Sequence, residues 1–117
     1  MGSNTKIKPA KPRKPRLVIT KNFLKDFESV WAYGSSAFGE QATQKFKEEI
    51  ISRIKALSSF PHANPLNRFV ESTEKKVYRY IIYENYYVIY SVTKSTIRVI
   101  SIIHQAISPK TIRLFTK

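Results

Sequence analysis

The chain has no cysteine, three glycines in 117 residues, and eight acidic side chains against twenty-one basic ones. Without cysteine there is no thiol nucleophile, no disulfide framework and no thiolate metal site, a composition that suits a reducing cytoplasm. No apolar run approaches the roughly 20 residues that a membrane-crossing helix needs, and residues 1–16 lack the apolar segment of a secretory signal. These absences predict a soluble, cytoplasmic protein with no membrane partner. A glycine-rich phosphate loop and a nucleophile elbow are also missing, which sets aside nucleotide hydrolysis and serine-hydrolase chemistry. His62 and His104 stand far apart in the sequence with no acid at ligand spacing, so no metal and no cofactor are expected.

The shortage of acid leaves a formal charge of +13. Residues 1–16 hold Lys6, Lys8, Lys11, Arg13, Lys14 and Arg16 with no acid, and Pro9, Pro12 and Pro15 at period three favour extended chain there. Residues 1–16 are therefore read as a disordered basic arm, and residues 17–117 as a single domain large enough to bury a core without staples. That domain keeps fifteen basic against eight acidic residues. A basic body behind a basic arm points to a polyanionic partner, either nucleic acid or an acidic protein segment; the alternative is a merely solvated surface.

Leu17-Val-Ile-Thr20 reads as a first strand, with Thr20 or Asn22 able to cap a following helix. Phe23, Phe27, Val30 and Trp31 then form one helical stripe, and Gly34 is the expected helix stop. Ser35-Ser36 is expected to open a second helix whose apolar face is Ala42, Phe46, Ile50, Ile54 and Leu57, ended by Ser58-Ser59 and Pro61. Beyond Arg68 the period changes to two. Arg68 to Glu71 is expected as a short strand, followed by longer strands at roughly 76–83, 86–93 and 96–104. Six of the seven tyrosines fall between Tyr78 and Tyr90, a density of aromatic and β-branched residues that suits a pleated surface. With glycine scarce, the turns rest on Glu84-Asn85 and Lys94-Ser95.

Two-residue turns at those places set an uninterrupted register, in which Val77 faces Val92, Val92 faces Ile97 and Tyr86 faces Ile103. One sheet face then carries Arg79, Ile81, Tyr83, Tyr86, Val88, Tyr90, Val99, Ser101 and Ile103 toward the helices. The other carries Tyr78, Tyr80, Ile82, Tyr87, Ile89, Arg98, Ile100, Ile102 and His104. This outer face is either a surface that stacks bases, holds phosphate or meets a partner, or a set of ordinary half-buried strand residues. His104 could transfer a proton or serve as a structural rim residue, and Arg98 could clamp phosphate or stand solvated. Arg79, opposite Tyr90, is expected to be structural, its stem on rings and its guanidinium paired with a helix-borne Glu.

The order strand, helix pair, short strand and meander, with Arg79-Tyr-Ile-Ile-Tyr-Glu-Asn-Tyr-Tyr-Val-Ile-Tyr-Ser-Val92 and Ile97-Arg-Val-Ile-Ser-Ile-Ile-His104, resembles the RelE/ParE superfamily of toxins over about residues 17 to 110. The resemblance implies an α+β fold of order β-α-α-β-β-β, an antiparallel sheet packed on a helix pair. It also implies the toxin half of a type II toxin-antitoxin operon, neutralised by an antitoxin with an extended, often acidic segment. RelE-like members are ribosome-dependent mRNA endonucleases. Their pattern has lysines where this chain has Tyr78 and Tyr80, an arginine at Tyr87, and another near Ala106 or Ile107. A ribonuclease of this sequence would have to rearrange its catalytic groups, with His104 as acid or base, Arg98 on phosphate and Tyr87 stacking a base. ParE-like members are described as non-nuclease poisons of DNA gyrase, and the missing cations cost that reading nothing. The ParE-like branch is therefore favoured, with Tyr78, Tyr80, Tyr87, Arg98 and His104 as the partner or target surface and Arg79 and Tyr90 as structural residues. Ribosome and mRNA are the alternative partners.

Overall fold

The computed structural model describes residues 14–67 and 72–105. The elements run β1 (Arg16–Ile19), α1 (Lys21–Phe38), α2 (Glu40–Lys55), a single 3-10 turn (Ala56–Ser58), β2 (Val77–Tyr83), β3 (Tyr86–Val92) and β4 (Thr96–His104). The expected strand at 68–71 lies outside the described residues. Most of the basic arm does as well.

Thr20 starts α1 as anticipated: its Oγ1 accepts from the Phe23 amide at 3.1 Å, satisfying an amide that the first turn leaves free. The helix does not stop at Gly34. It continues through Ser35 and Ser36 to Phe38, and the chain reverses at Gly39, whose φ of 89° is the left-handed geometry glycine tolerates. Gly34 serves closeness instead, because a Cβ there would sit 3.0 Å from Thr43 Oγ1 on α2.

The sheet has the order β1-β4-β3-β2. The two hairpin pairings are antiparallel, but β1 runs parallel to β4, so the sheet is mixed. The α+β class stands, with that one pairing differing from an all-antiparallel sheet. The helix pair lies on one face, where Phe23, Ile50, Ile54 and Leu57 meet Ile81, Val88, Tyr90, Val92, Ile97, Val99 and Ile102 in the core. Burial of this many apolar side chains, each worth about 1.5–3 kcal/mol, holds the layers together.

The β2–β3 register is as expected, Val77 facing Val92 through to Tyr83 facing Tyr86. In the β3–β4 pair the register slips by one residue between Ile89 and Tyr90. Val92 faces Ile97 and Tyr90 faces Val99, but Ile89 faces Ser101 and Tyr86 faces His104, leaving Ile100 unpaired. The unpaired residue is occupied from outside the sheet. Its carbonyl accepts from Asn22 Nδ2 at 2.9 Å and from Thr20 Oγ1 at 3.1 Å, while Ser101 Oγ donates to Asp26 Oδ2 at 2.6 Å. The polar first turns of α1 thus fasten the bulge, and beyond it the alternation of β4 reverses.

Candidate functional site

That bulge divides the expected site. Tyr78, Tyr80, Tyr87 and Arg98 share the outer face, since Tyr78 faces Ser91, Ser91 faces Arg98, and the Tyr80 and Tyr87 rings stack at 4.7 Å and 17° across the hairpin. His104 does not join them. It lies on the helix side, exposed, with its ring edge-on to Tyr86 at 5.3 Å. The register slip likewise moves Ile102 into the helix-side core and Ile103 into the outer cluster with Tyr80, Tyr87 and Ile89. Arg98 and His104 are six residues apart on one strand, roughly 20 Å at 3.3 Å per residue, and face opposite ways.

The outer face is not an open stacking platform. Tyr78 and Tyr80 are 9% and 4% exposed and Ile89 is fully buried, so neither tyrosine can receive a base as the fold stands. Among the described residues, this face shows Arg98 and Ile82 to solvent, with part of Tyr87 and Thr96.

Arg79 does not pair with a helix-borne Glu. Its Nη1 donates to the Asn64 carbonyl at 2.6 Å, Asn64 Nδ2 donates to Tyr90 Oη at 3.2 Å, and Tyr90 Oη donates to the Pro61 carbonyl at 3.2 Å. Together they pin the loop after α2 to the sheet, and Tyr80 and Asn67 continue the attachment by backbone bonds with Pro65 and Tyr78. Burial raises the Tyr90 phenol above its usual pKa, a rise that the Asn64 hydrogen bond and the Arg79 charge only partly offset.

Sequence reasoning missed a groove of about 550 Å³ between the tip of the helix pair and the β2–β3 turn. Tyr33, Phe38, Phe46, Tyr83 and Tyr86 give it an aromatic lining. Phe46 sits between Tyr83 and Tyr86 at 5.6 and 5.4 Å, and Arg53, paired with Glu49 at 2.9 Å, lies 4.6 Å from the centre of the Tyr83 ring. Tyr33 and Phe38 meet edge to face at 6.1 Å, yet are 61% and 68% exposed. The Tyr86 phenol is held above its usual pKa by burial first and by Tyr33 second. The turn closing the groove holds Glu84 at φ 55°, a conformation costly for a side chain with a Cβ. A signal existed in the sequence: Tyr33 is a large aromatic lying off the stripe of Phe23, Phe27, Val30 and Trp31, and Phe38 continues that stripe past the expected helix stop.

Among the described residues no three His, Asp or Glu side chains gather as a metal site. No helix among them is long and apolar enough to cross a membrane.

A helix pair on one face of a small mixed sheet is the α+β fold that the RelE/ParE resemblance implies. The family model for the ParE toxin of the type II toxin-antitoxin system, parDE, matches residues 17–109, and the chain belongs to that family. A solved structure titled as the chromosomal ParDE TA system from P. aeruginosa is similar to it, with a TM-score of 0.63 at 14% identity. The alignment covers 78% of this chain and 96% of the other; at that identity the likeness shows the fold. Comparison with curated proteins returned no match.

Proposed function

We propose that this toxin inhibits growth by binding a cytoplasmic target, DNA gyrase, and that an antitoxin silences it by seating an apolar, acidic segment in the aromatic groove. One observation carries the choice of binding over catalysis: the three groups a rearranged ribonuclease would need do not converge, since His104 faces the helices while Arg98 and Tyr87 face away. A general acid or base must come within hydrogen-bond reach of the proton it moves, and a strand cannot bring these groups to one phosphate.

The antitoxin reading is supported by the exposed Tyr33 and Phe38 pair. Aromatic residues anchor protein interfaces, and large ones left in solvent beside a concave surface are what a partner segment covers. The chain's +13 charge favours an acidic antitoxin through long-range attraction, since the groove itself holds Lys45 beside Glu49 and Glu84. On the outer face, Arg98 with Ile82 and Tyr87 remains the surface offered to the target.

The test is a supercoiling assay with purified protein. Inhibition of gyrase, relieved by the cognate antitoxin, is expected; normal supercoiling at micromolar toxin removes the gyrase reading.

A further inference from the structure

At the end of the sheet away from the groove, cations gather along four neighbouring strand ends. Arg16 opens β1 and its amide donates to Ser95 at 2.9 Å, which sets it beside Lys94 in the β3–β4 turn. Val77 faces Val92, so the two residues before β2, Lys75 and Lys76, come up beside the same turn. Arg16, Lys75, Lys76 and Lys94 are all exposed, as are Lys14 before β1 and Arg98 two residues into β4. Five of the eight acids lie on the helices, and Glu74 is the one acid at this end among the described residues. No described carboxylate forms an ion pair with these cations.

The backbones carrying these cations are fixed. Thr93 closes its turn through N–H to the Thr96 carbonyl at 2.9 Å, and its Oγ1 accepts from the Thr96 amide at 3.2 Å. Thr73 does the same for Lys76, with distances of 2.8 and 3.1 Å. Three strand gaps of about 4.8 Å give the row a span of about 14 Å, a length of duplex axis over which one strand carries about four phosphates at about 3.4 Å of rise each.

We infer that this sheet end is a sequence-independent binding site for the phosphate backbone of duplex nucleic acid. Its chemistry is lysine, arginine and threonine, the side chains that contact phosphate. None of the large exposed apolar residues lies within residues 14–18, 72–77 or 92–97, so the surface lacks the anchors of a protein interface and the apolar wedge of a membrane-surface segment. Single-stranded binding needs exposed rings for bases to stack on, and Tyr78 and Tyr80 are buried; a duplex asks only for charge. The site does not depend on the toxin's target.

The experiment measures binding of the full chain to a short labelled DNA duplex by fluorescence anisotropy, between about 50 and 200 mM salt. The triple variant Lys75→Gln, Lys76→Gln, Lys94→Gln is compared with the charge-matched Lys21→Gln, Lys25→Gln, Lys45→Gln on the helical layer. Losing three phosphate contacts lowers the slope of log K against log salt by about 2.7, at about 0.9 per contact, while the helical variant keeps the wild-type slope. Equal losses in both variants would reduce the effect to net charge and overturn the site. So would absence of binding at the lowest salt. A polyglutamate peptide that displaces the duplex at equal charge and loses affinity in the same variant would overturn it in favour of an acidic protein segment.

Discussion

Gly34 and Thr43 touch across the helix pair with no room for another carbon between them: a Cβ on Gly34 would lie 3.0 Å from Thr43 Oγ1. That hydroxyl is buried and committed, donating to the Gly39 carbonyl at 2.8 Å, so it cannot swing aside cheaply. Alanine ordinarily gains about 1 kcal/mol over glycine inside a helix. Here overpacking, typically about 1–3 kcal/mol, outweighs that gain. Gly34→Ala is expected to lower stability by about 1 kcal/mol in urea unfolding, and adding Thr43→Ala should recover part of the loss. A stabilised Gly34→Ala single variant would show that α1 and α2 have space to spare.

Tyr90 links the loop after α2 to the centre of the sheet and is fully buried. Tyr90→Phe removes its bonds with Asn64 and Pro61, at an expected cost of about 1–2 kcal/mol near neutral pH. The same burial gives an alkaline dependence. Because the folded phenol has its pKa raised above the usual 10.0, the unfolded chain loses that proton first as pH climbs. Its contribution is therefore complete below about pH 10 and is lost as pH rises through the folded value. Unfolding free energies measured from neutral pH upward should fall more steeply above about pH 10 in the wild type than in Tyr90→Phe; parallel curves would contradict the assignment.

The architecture was legible because it rests on periodicities that survive any detail of packing. Phe23 and Phe27 on α1, Ile50 and Ile54 on α2, and the run of alternating residues from Val77 to Val92 state their faces locally. The errors arose where a distant contact overrides a local rule. Gly34 looks like a helix stop because nothing in its neighbourhood announces Thr43. Residues 96–104 read as one continuous strand, and only Thr20 and Asn22, nearly eighty positions earlier, reveal why the register slips beneath them. The candidate site suffered most, since one slipped residue carries His104 to the opposite face. Its tyrosines were placed on the right side of the sheet, but alternation gives a direction and not an exposure, and so their burial was not readable.

Separation of His104 from Arg98 makes a direct prediction about toxicity. His104 is exposed at the end of its strand, and surface substitutions usually change stability by less than about 0.5 kcal/mol, so His104→Ala should fold normally. Under the binding mechanism it should also inhibit growth within about twofold of the wild type, and mRNA should stay intact in both while a DNA damage response appears. The factor of two marks the absence of a transition-state role, since removing such a group typically costs about a hundredfold or more. Cleaved transcripts, together with loss of toxicity in His104→Ala, would restore the endonuclease reading.

The groove offers the cleanest division between folding and recognition. Phe38 and Tyr33 are mostly in solvent, and Phe38 belongs to no core cluster, so Phe38→Ser should change stability by less than about 0.5 kcal/mol, as surface substitutions usually do. If an antitoxin segment fills the groove, the same change removes an aromatic anchor worth about 2 kcal/mol or more, weakening the complex roughly thirtyfold. Tyr33→Ala should act in the same direction, while Leu24→Ser, equally exposed on α1 but outside the groove lining, should leave affinity unchanged. Calorimetric titration of each variant with the cognate antitoxin reads the difference directly. Equal affinities for Phe38→Ser and Leu24→Ser would place the antitoxin outside the groove.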